Sequence, residues 1–265
     1  MEFGTIASGS SGNCLYIGDN QTHLLIDAGI SKKRINEGLK SFGIEGGNIE
    51  GILITHEHTD HIAGLGVMAR KYNIPIYGTE KTLIEIEKSK SLGAIPDKLF
   101  RIVYPGKKIN INDITVEPFS IPHDAKDPIS YSFVKDNEKI GMVTDLGYYD
   151  DNIVNSLKDS NILYIEANHD INMLQVGPYP YYLKQRILGN RGHLCNEVAG
   201  RLICELINDK LKQIVLGHLS KENNYPDLAL ETVLLEIDFK SYKHKNKVFD
   251  VSVAPRSLAS NLITI

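Results

Sequence analysis

Apolar positions along the chain come in short blocks with two different periods. Near the start, Glu2 to Ala7, Asn13 to Ile17 and His23 to Asp27 are strand-sized blocks, separated by the turn-forming runs Ser8-Gly9-Ser10-Ser11-Gly12 and Gly18-Asp19-Asn20. They predict an antiparallel meander. From Ser31 the period lengthens, and Ile35, Leu39 and Phe42 fall on one face of a helix that stops at Gly43. A buried strand is expected from Gly51 to Thr55. Helices over 63–72 and 79–88 then alternate with strands over 74–77, 100–103, 114–119, 130–134 and 139–144. The second half repeats this grammar, with a helix over 150–158, a strand over 162–166, helices over 180–188 and 196–207, a strand over 214–217 and a helix over 227–237. Mixed meanders with helices outside them predict an α/β fold of two packed sheets covered by helices, a four-layer αββα sandwich. No linker, fixed-period repeat or low-complexity tract divides it, so residues 1–265 are expected to form a single domain.

Composition narrows the classes further. With 42% hydrophobic residues, the 265-residue chain is unlike a disordered segment or a coiled coil. Apolar runs such as Leu24-Leu25-Ile26 stop far short of the roughly 20 residues needed to cross a bilayer. The opening Met1-Glu2-Phe3-Gly4-Thr5-Ile6 has neither a basic leader nor a small-residue cleavage site, so no membrane partner and a cytoplasmic location are expected. Cys14, Cys195 and Cys204 make no CxxC pair and are expected to be reduced thiols. The net charge of −4 provides no general attraction to nucleic acid, leaving that task to a local basic patch or a bound dication. None of these features sets the oligomeric state.

The chemistry is concentrated in Thr55-His56-Glu57-His58-Thr59-Asp60-His61, directly after the apolar run Ile52-Leu53-Ile54. Alternate side chains of an extended loop point the same way, so His56 and His58 are expected to share one cation, and Asp60 and His61 to face a second. A merely solvated loop has no need of so dense a histidine cluster. Three more polar residues close strand-like runs: Ser120-Ile121-Pro122-His123, Met142-Val143-Thr144-Asp145 and Val215-Leu216-Gly217-His218. Taken singly, each would read as a structural histidine or a turn aspartate.

The HxHxDH string resembles the signature of the metallo-β-lactamase fold, and the later residues follow in the order typical of that family. The resemblance implies that His56, His58 and His123 bind one divalent ion, that Asp60, His61 and His218 bind a second, and that Asp145 bridges the two. Zinc or manganese would suit these donors. Asp27 resembles the family aspartate that holds the histidine loop without touching metal. Further strings are similar to the YycJ/WalJ subgroup, bacterial proteins of this fold regarded as DNA exonucleases: Ala7-Ser8-Gly9-Ser10-Ser11-Gly12-Asn13, Pro122-His123-Asp124-Ala125, Glu166-Ala167-Asn168-His169-Asp170, Tyr179-Pro180-Tyr181-Tyr182-Leu183-Lys184-Gln185-Arg186, Gly192-His193-Leu194 and Leu216-Gly217-His218-Leu219-Ser220. The chain departs from that pattern at Cys195, where a serine is expected. What the resemblance implies is 5′-to-3′ degradation of DNA by a hydroxide held between two metal ions, with Asp60 orienting the nucleophile and His193 assisting departure of the sugar oxygen. Gly192 before His193, and Asn196 expected as the cap of the next helix, would hold that imidazole rigidly.

Other residues are read with less definition. His169 and Asp170 are expected to brace the ligands from behind. Ser11 and Asn13 belong to a Gly/Ser loop that lacks the Gly-Lys-Ser/Thr ending of a Walker motif; it is either a phosphate contact or a flexible hairpin turn. Lys184, Arg186 and Arg191, near the His193 loop, are expected to receive DNA phosphates. Lys240, Lys243, Lys245 and Lys247 read as a solvated hairpin, and neither His23 nor His244 is expected to be a ligand. A small-molecule phosphodiesterase, cyclic nucleotides included, shares the same residues and is the main alternative. A thioesterase or lactamase fits less well, since β-lactamases commonly replace the signature's last histidine, here His61. A β-CASP nuclease would need a longer interval between Asp145 and His218, and a scaffold without activity would have no use for seven ligands.

Overall fold

The structure is a computed structural model that describes residues 1–240 and 249–265, apart from the side chains of Phe239 and Lys240. The lysine run and His244 singled out above therefore lie outside the described side chains. In chain order the first half forms β1 (Glu2–Ala7), β2 (Cys14–Gly18), β3 (His23–Ile26), α1 (Lys32–Ser41), β4 (Gly51–Leu53), α2 (Thr59–Ile62), α3 (Leu65–Tyr72), β5 (Ile76–Gly78), α4 (Glu80–Lys88) and β6 (Phe100–Ile102). The second half forms β7 (Ile109–Ile111), β8 (Ile114–Ser120), β9 (Ile129–Lys135), β10 (Glu138–Val143), α5 (Asp151–Leu157), β11 (Ile162–Glu166), α6 (Ile171–Val176), α7 (Tyr181–Leu188), α8 (Asn196–Leu206), β12 (Gln213–Gly217), α9 (Pro226–Lys240), β13 (Asp250–Val253) and β14 (Ile263–Thr264).

Two seven-stranded sheets result, in the orders β14-β1-β2-β3-β4-β5-β6 and β13-β12-β11-β10-β9-β8-β7. Each has an antiparallel half and a parallel half. In the first, β14, β1, β2 and β3 pair antiparallel, and β3 to β6 run parallel. In the second, β7 to β10 are antiparallel and β10 to β13 parallel. Alternation along the strands divides the core. In β2, Leu15 and Ile17 enter a cluster with Tyr131, Phe133, Met142 and Tyr164 of the other sheet, whereas Cys14 and Tyr16 face a cluster with Ile35, Leu39 and Met68 of the covering helices. A third cluster packs Leu163 and Ile165 against Ile153, Leu202 and Val233 of α5, α8 and α9. Three apolar layers between four structural layers make the αββα sandwich. Strands covered on both faces are buried on both, which is why β2, buried throughout, and β3, buried after His23, read as near-continuous apolar runs.

Most elements fall where the sequence places them, and the differences have local causes. The helix expected over 63–72 is α3, which starts at Leu65 after Gly64; a Cβ at Gly64 would lie 2.0 Å from the Ile30 carbonyl oxygen, and its N–H donates to Ala28 O, while ahead of it α2 makes a helical turn of the segment with Asp60 and His61, expected to be extended. The edge strands β7, β13 and β14 and the short α6 were not anticipated; each is six residues or fewer, too short for a periodic signal. No helix among the described residues is long and apolar enough to cross a membrane.

Candidate metal centre

The polar residues gather at the C-terminal ends of β3, β4, β10, β11 and β12, parallel strands whose ends generally present ligands in α/β sheets, joined by His123 from the end of the antiparallel β8. Three of them, Asp27 after β3, Asp145 after β10 and His218 after β12, have left-handed backbones with φ of 60°, 59° and 54°. Non-glycine residues rarely adopt this conformation, and it persists where the surroundings over-determine it. Gly217 is needed for a related reason. A Cβ there would meet the Tyr164 ring at 2.2 Å, so only glycine lets the chain pass over that ring and deliver His218.

The HxHxDH loop leaves β4 and is anchored from behind. Asp27 accepts from His61 Nδ1 at 2.7 Å, from Thr55 N at 2.9 Å and from Thr55 Oγ1 at 2.9 Å. With its proton given to Asp27, the Thr55 hydroxyl is free to accept from His56 Nδ1 at 3.0 Å. Gly29 packs so closely on the loop that a Cβ would sit 1.6 Å from the Asp60 carbonyl oxygen. Asn13 N–H donates to that same oxygen at 2.8 Å, and Asn13 Nδ2 lies 3.3 Å from Asp60 Oδ2.

The second sheet supplies the other side. His123 Nδ1 donates to Gly192 O at 3.2 Å, and His218 Nδ1 to Glu166 Oε1 at 2.9 Å. Outer acceptors thus hold one nitrogen of His56, His61, His123 and His218, and turn the opposite nitrogen toward a common centre, the arrangement that metal-binding imidazoles require. On the inner side His58 Nδ1 is 3.0 Å from His56 Nε2 and 3.3 Å from His123 Nε2. His61 Nε2 is 3.3 Å from Asp145 Oδ2 and 3.5 Å from Asp60 Oδ2, while His218 Nε2 is 3.4 Å from Asp145 Oδ1 and 3.7 Å from Asp60 Oδ2. Donor atoms therefore converge in overlapping groups: His56, His58 and His123; Asp60, His61 and His218; and His56, His61 and Asp145. His218 Nε2 is buried with no hydrogen-bond partner, an orphaned atom whose lone pair a divalent cation would take. The donor chemistry and this orphaned atom fit a divalent cation.

The electrostatics point the same way. Burial alone would depress the His218 pKa, but Asp145, Asp60 and Glu166 outweigh it and push it up to about 10. His61 is likewise raised against burial by Asp27, Asp145 and Asp60. Burial acts to raise the carboxyl groups of Asp60 and Glu166, yet the neighbouring imidazoles hold both well below the usual carboxylate range. His56 is depressed by burial and by the adjacent His61, His123 and His58. Three buried carboxylates, Asp27, Asp145 and Glu166, and the partly exposed Asp60 surround this space, a concentration of negative charge that suits a cation.

Glu166 was missed by the sequence reading as a functional residue. It ends β11 wholly buried; Oε1 accepts from His193 Nδ1 at 2.7 Å and from His218 Nδ1, and Oε2 accepts from the N–H groups of Leu146 and Leu194. A carboxylate closing an apolar strand between the Asp145 and His218 strands was the available signal. The bracing role expected of His169 and Asp170 lies instead with Glu166. Asp170 caps α6 by accepting from Met173 N at 2.7 Å, and His169 Nδ1 bonds Asn168 Oδ1, one residue removed from His218. Asn196 is not the cap of α8 either. Cys195 holds that position without a side-chain cap bond, and Asn196 pairs with Asn224 inside the fold.

The Ser8-to-Gly12 loop is an anchored structure. Ser8 Oγ bonds Tyr164 Oη and accepts from His218 N, both at 2.8 Å, and Asn13 Oδ1 accepts from Gly9 N. Asn13 is buried beside Asp60 and His61, whereas Ser11 is exposed. Arg186 makes a two-pronged ion pair with Asp124, whose Oδ1 lies 3.3 Å from His123 Nε2 and 3.9 Å from His58 Nε2. Lys184 is turned to Gln175 O. His23 bonds Tyr16 Oη and joins none of the donor groups, and Cys14, Cys195 and Cys204 form no disulfide, the Cys204 thiol donating to Glu236 O.

Residues 22–218 match the family model described as a beta-lactamase superfamily domain. The chain is 41% identical over 242 residues to the exodeoxyribonuclease YycJ of Bacillus anthracis, with 91% of each chain covered. To the exodeoxyribonuclease WalJ of Streptococcus pneumoniae it is 40% identical over 251 residues, covering 91% of this chain and 93% of that one. Among solved structures, the metallo-beta-lactamase fold protein YhfI from Bacillus subtilis superposes with a TM-score of 0.69 at 15% identity over 98% of both chains, a likeness of fold alone. On this evidence the chain belongs to the beta-lactamase superfamily, within its YycJ/WalJ subgroup.

Proposed function

We propose that this chain is a metal-dependent phosphodiesterase that degrades DNA from an end, in the 5′-to-3′ direction. The observation that carries this reading is the convergence of His and Asp donors from both sheets at one point, in a chain 40–41% identical to exodeoxyribonucleases over nine-tenths of its length. We infer that the chain works as one domain, because neither sheet supplies the whole donor set. His56, His58 and His123 would hold one divalent ion and Asp60, His61 and His218 a second, with Asp145 shared. Five imidazoles favour zinc, and the carboxylates also suit manganese. When bound, such ions supply Lewis acidity that activates water and neutralises charge developing on the phosphate.

The chain's own groups do the rest. Asp60, with a carboxyl held ionised at neutral pH, accepts a hydrogen bond from the attacking water and orients it. His193 has 16% of its side chain exposed, and Glu166 fixes its Nδ1, so Nε2 is the nitrogen left to face substrate. A proton carried at Nε2 would pass to the departing sugar oxygen, whose loss as a bare alkoxide is costly. Arg186, beyond its pairing with Asp124, and Arg191 would meet strand phosphates, and Asn13 would steady Asp60.

Labelled strands test this. DNA carrying a 5′ label should lose it as a mononucleotide from the first turnovers, and a 3′ label should leave only when the strand is consumed; chelation should stop both and manganese or zinc restore them. Hydrolysis confined to cyclic nucleotides, or of a thioester or lactam alone, would overturn the reading.

A further inference from the structure

Helix α7 leads into the Gly192-His193 turn and carries a feature that no step above uses. Tyr181 and Tyr182 stand on it with 76% and 74% of their surface in water. Single exposed apolar residues need no explanation, but adjacent tyrosines, each this open, are unusual on a helix that buries only Ile187. Their place is informative. Tyr182 and Arg186 are four residues apart and share a ridge, about 6 Å along the axis. Arg186 is held by Asp124 at the edge of the His58 and His123 pair. Past the helix end, Arg191 lines a cleft of about 550 Å³ together with His123, Lys126 and the half-exposed Tyr148; Asp127 and Asp150 complete its rim. Exposed rings and cationic groups, Tyr182 and Arg186 on α7 and Tyr148, Lys126 and Arg191 around the cleft, thus lie on the side of the centre that His123 occupies, among the carboxylates of Asp124, Asp127 and Asp150.

From this arrangement we infer that the α7 tyrosines are a stacking platform for unpaired bases of the DNA strand, with Arg186 and Arg191 on its phosphates. The inference rests on the nuclease reading above. Every base has a π-face, so a tyrosine platform grips a strand without regard to sequence, as an exonuclease must, and an aromatic ring can hold only a base that has left its pair. A second copy of this chain is a poorer occupant. The two rings offer at most about 500 Å², against roughly 800 Å² per partner in a stable interface, and cations flank them.

The chain contains no tryptophan, so Tyr182→Trp installs a lone emitter on this face. The probe is a phosphorothioate oligothymidylate, which resists cleavage, compared on the metal-loaded protein with an abasic strand of the same length and linkage. The base-bearing strand should quench the emission and the abasic strand should not. In Tyr181→Ala/Tyr182→Ala, Kd for the base-bearing strand should rise about fivefold or more, toward that of the abasic strand. Equal quenching by both strands, equal loss of affinity for both, or conversion of a dimer to monomers by the double substitution would overturn the inference. Should the wild-type chain degrade no DNA, the nuclease reading fails and the platform with it; should it degrade DNA yet bind both strands alike, only the platform fails.

Discussion

The two sides of the centre are assembled in different ways. On the first sheet, His56, His58, Asp60 and His61 lie within six residues of one loop, and Asp27, Thr55 and Gly29 fix that loop from directly beneath. On the second sheet, His123, Asp145, Glu166, His193 and His218 leave five separate segments, and only the order β8-β9-β10-β11-β12 brings them together. The first side is local chemistry carried on a strand end. The second is a product of topology, and Glu166 ties it by holding His193 and His218 with one oxygen. The local side is therefore expected to fail one ligand at a time, and the distributed side to fail in coupled pairs.

The harshest probe removes a ligand from each side. His61→Ala and Asp145→Ala are both expected to bring hydrolysis of bis-p-nitrophenyl phosphate to background and to lower metal content in elemental analysis. Retained activity in either would show that its side is dispensable.

Next in size is His193→Ala, which takes a residue from the distributed side without removing a proposed ligand. Turnover on DNA should fall by roughly 10²-fold to 10⁴-fold with metal content kept. The loss should shrink on a p-nitrophenyl ester, whose leaving group departs without a proton. Equal losses on both substrates would give His193 a phosphate-positioning role instead.

The coupling is tested by Glu166→Gln against Asp27→Asn. Each removes a carboxylate that orients an imidazole, an effect typically worth about 10–100-fold in activity or metal affinity. Asp27 holds His61 directly and His56 through Thr55, all within the ligand set, while Glu166 holds the ligand His218 and, with the same oxygen, the proposed proton donor His193. Glu166→Gln should therefore cost more on DNA than Asp27→Asn, and most of the excess should vanish when His193 is already alanine. Additive effects in that cycle would refute the pairing.

The same contrast decided how much was legible beforehand. His56 to His61 is visible because all its donors lie within six residues; the period-2 geometry of extended chain accounts for His56 with His58, whereas Asp60 and His61 are brought together by the helical turn α2. His123, Asp145 and His218 carry no such local mark, and only family resemblance selected them. Glu166 went unnoticed as a brace because its role depends on which strands flank β11, a fact of sheet order that periodicity does not encode. His169 and Asp170, just after Glu166 in the chain, are the braces the sequence suggests beside Asp27; the turn after β11 directs Asp170 to the α6 amides instead. The layered fold was readable throughout, since strands buried on both faces leave continuous apolar runs. Its shortest edge strands were not.

A smaller effect concerns protons. In metal-free protein His218, raised to about 10, is expected to be charged at pH 7, and His61 is raised in the same direction by Asp27, Asp145 and Asp60. For His218 the sign is that of a raised histidine: the stabilisation is fully present below its unfolded value of about 6.5 and is lost as pH rises through about 10. A cation needs the neutral rings, so metal uptake at pH 7 should release protons, seen calorimetrically as a binding heat that varies with the ionisation enthalpy of the buffer. A buffer-independent heat would contradict the charged state of these rings.

The mildest probe is Cys195→Ser. Cys195 holds the N-cap position of α8 without a side-chain cap bond, immediately after the His193-Leu194 segment. Burial pushes its thiol up to about 11, so at neutral pH it is a neutral and weak hydrogen-bonding group. A serine hydroxyl accepts well from the first-turn amides of a helix, a bond typically worth about 0.5–2 kcal/mol relative to alanine. Cysteine recovers part of that through weak sulfur contacts, so the gain should fall at the low end, raising Tm by about 1–3 °C in a chain of this size. Metal content and DNA turnover should stay near wild type, because neither the donor set nor the proton path uses the thiol. A fall in Tm would mean that the buried sulfur contributes more through packing than a serine cap returns.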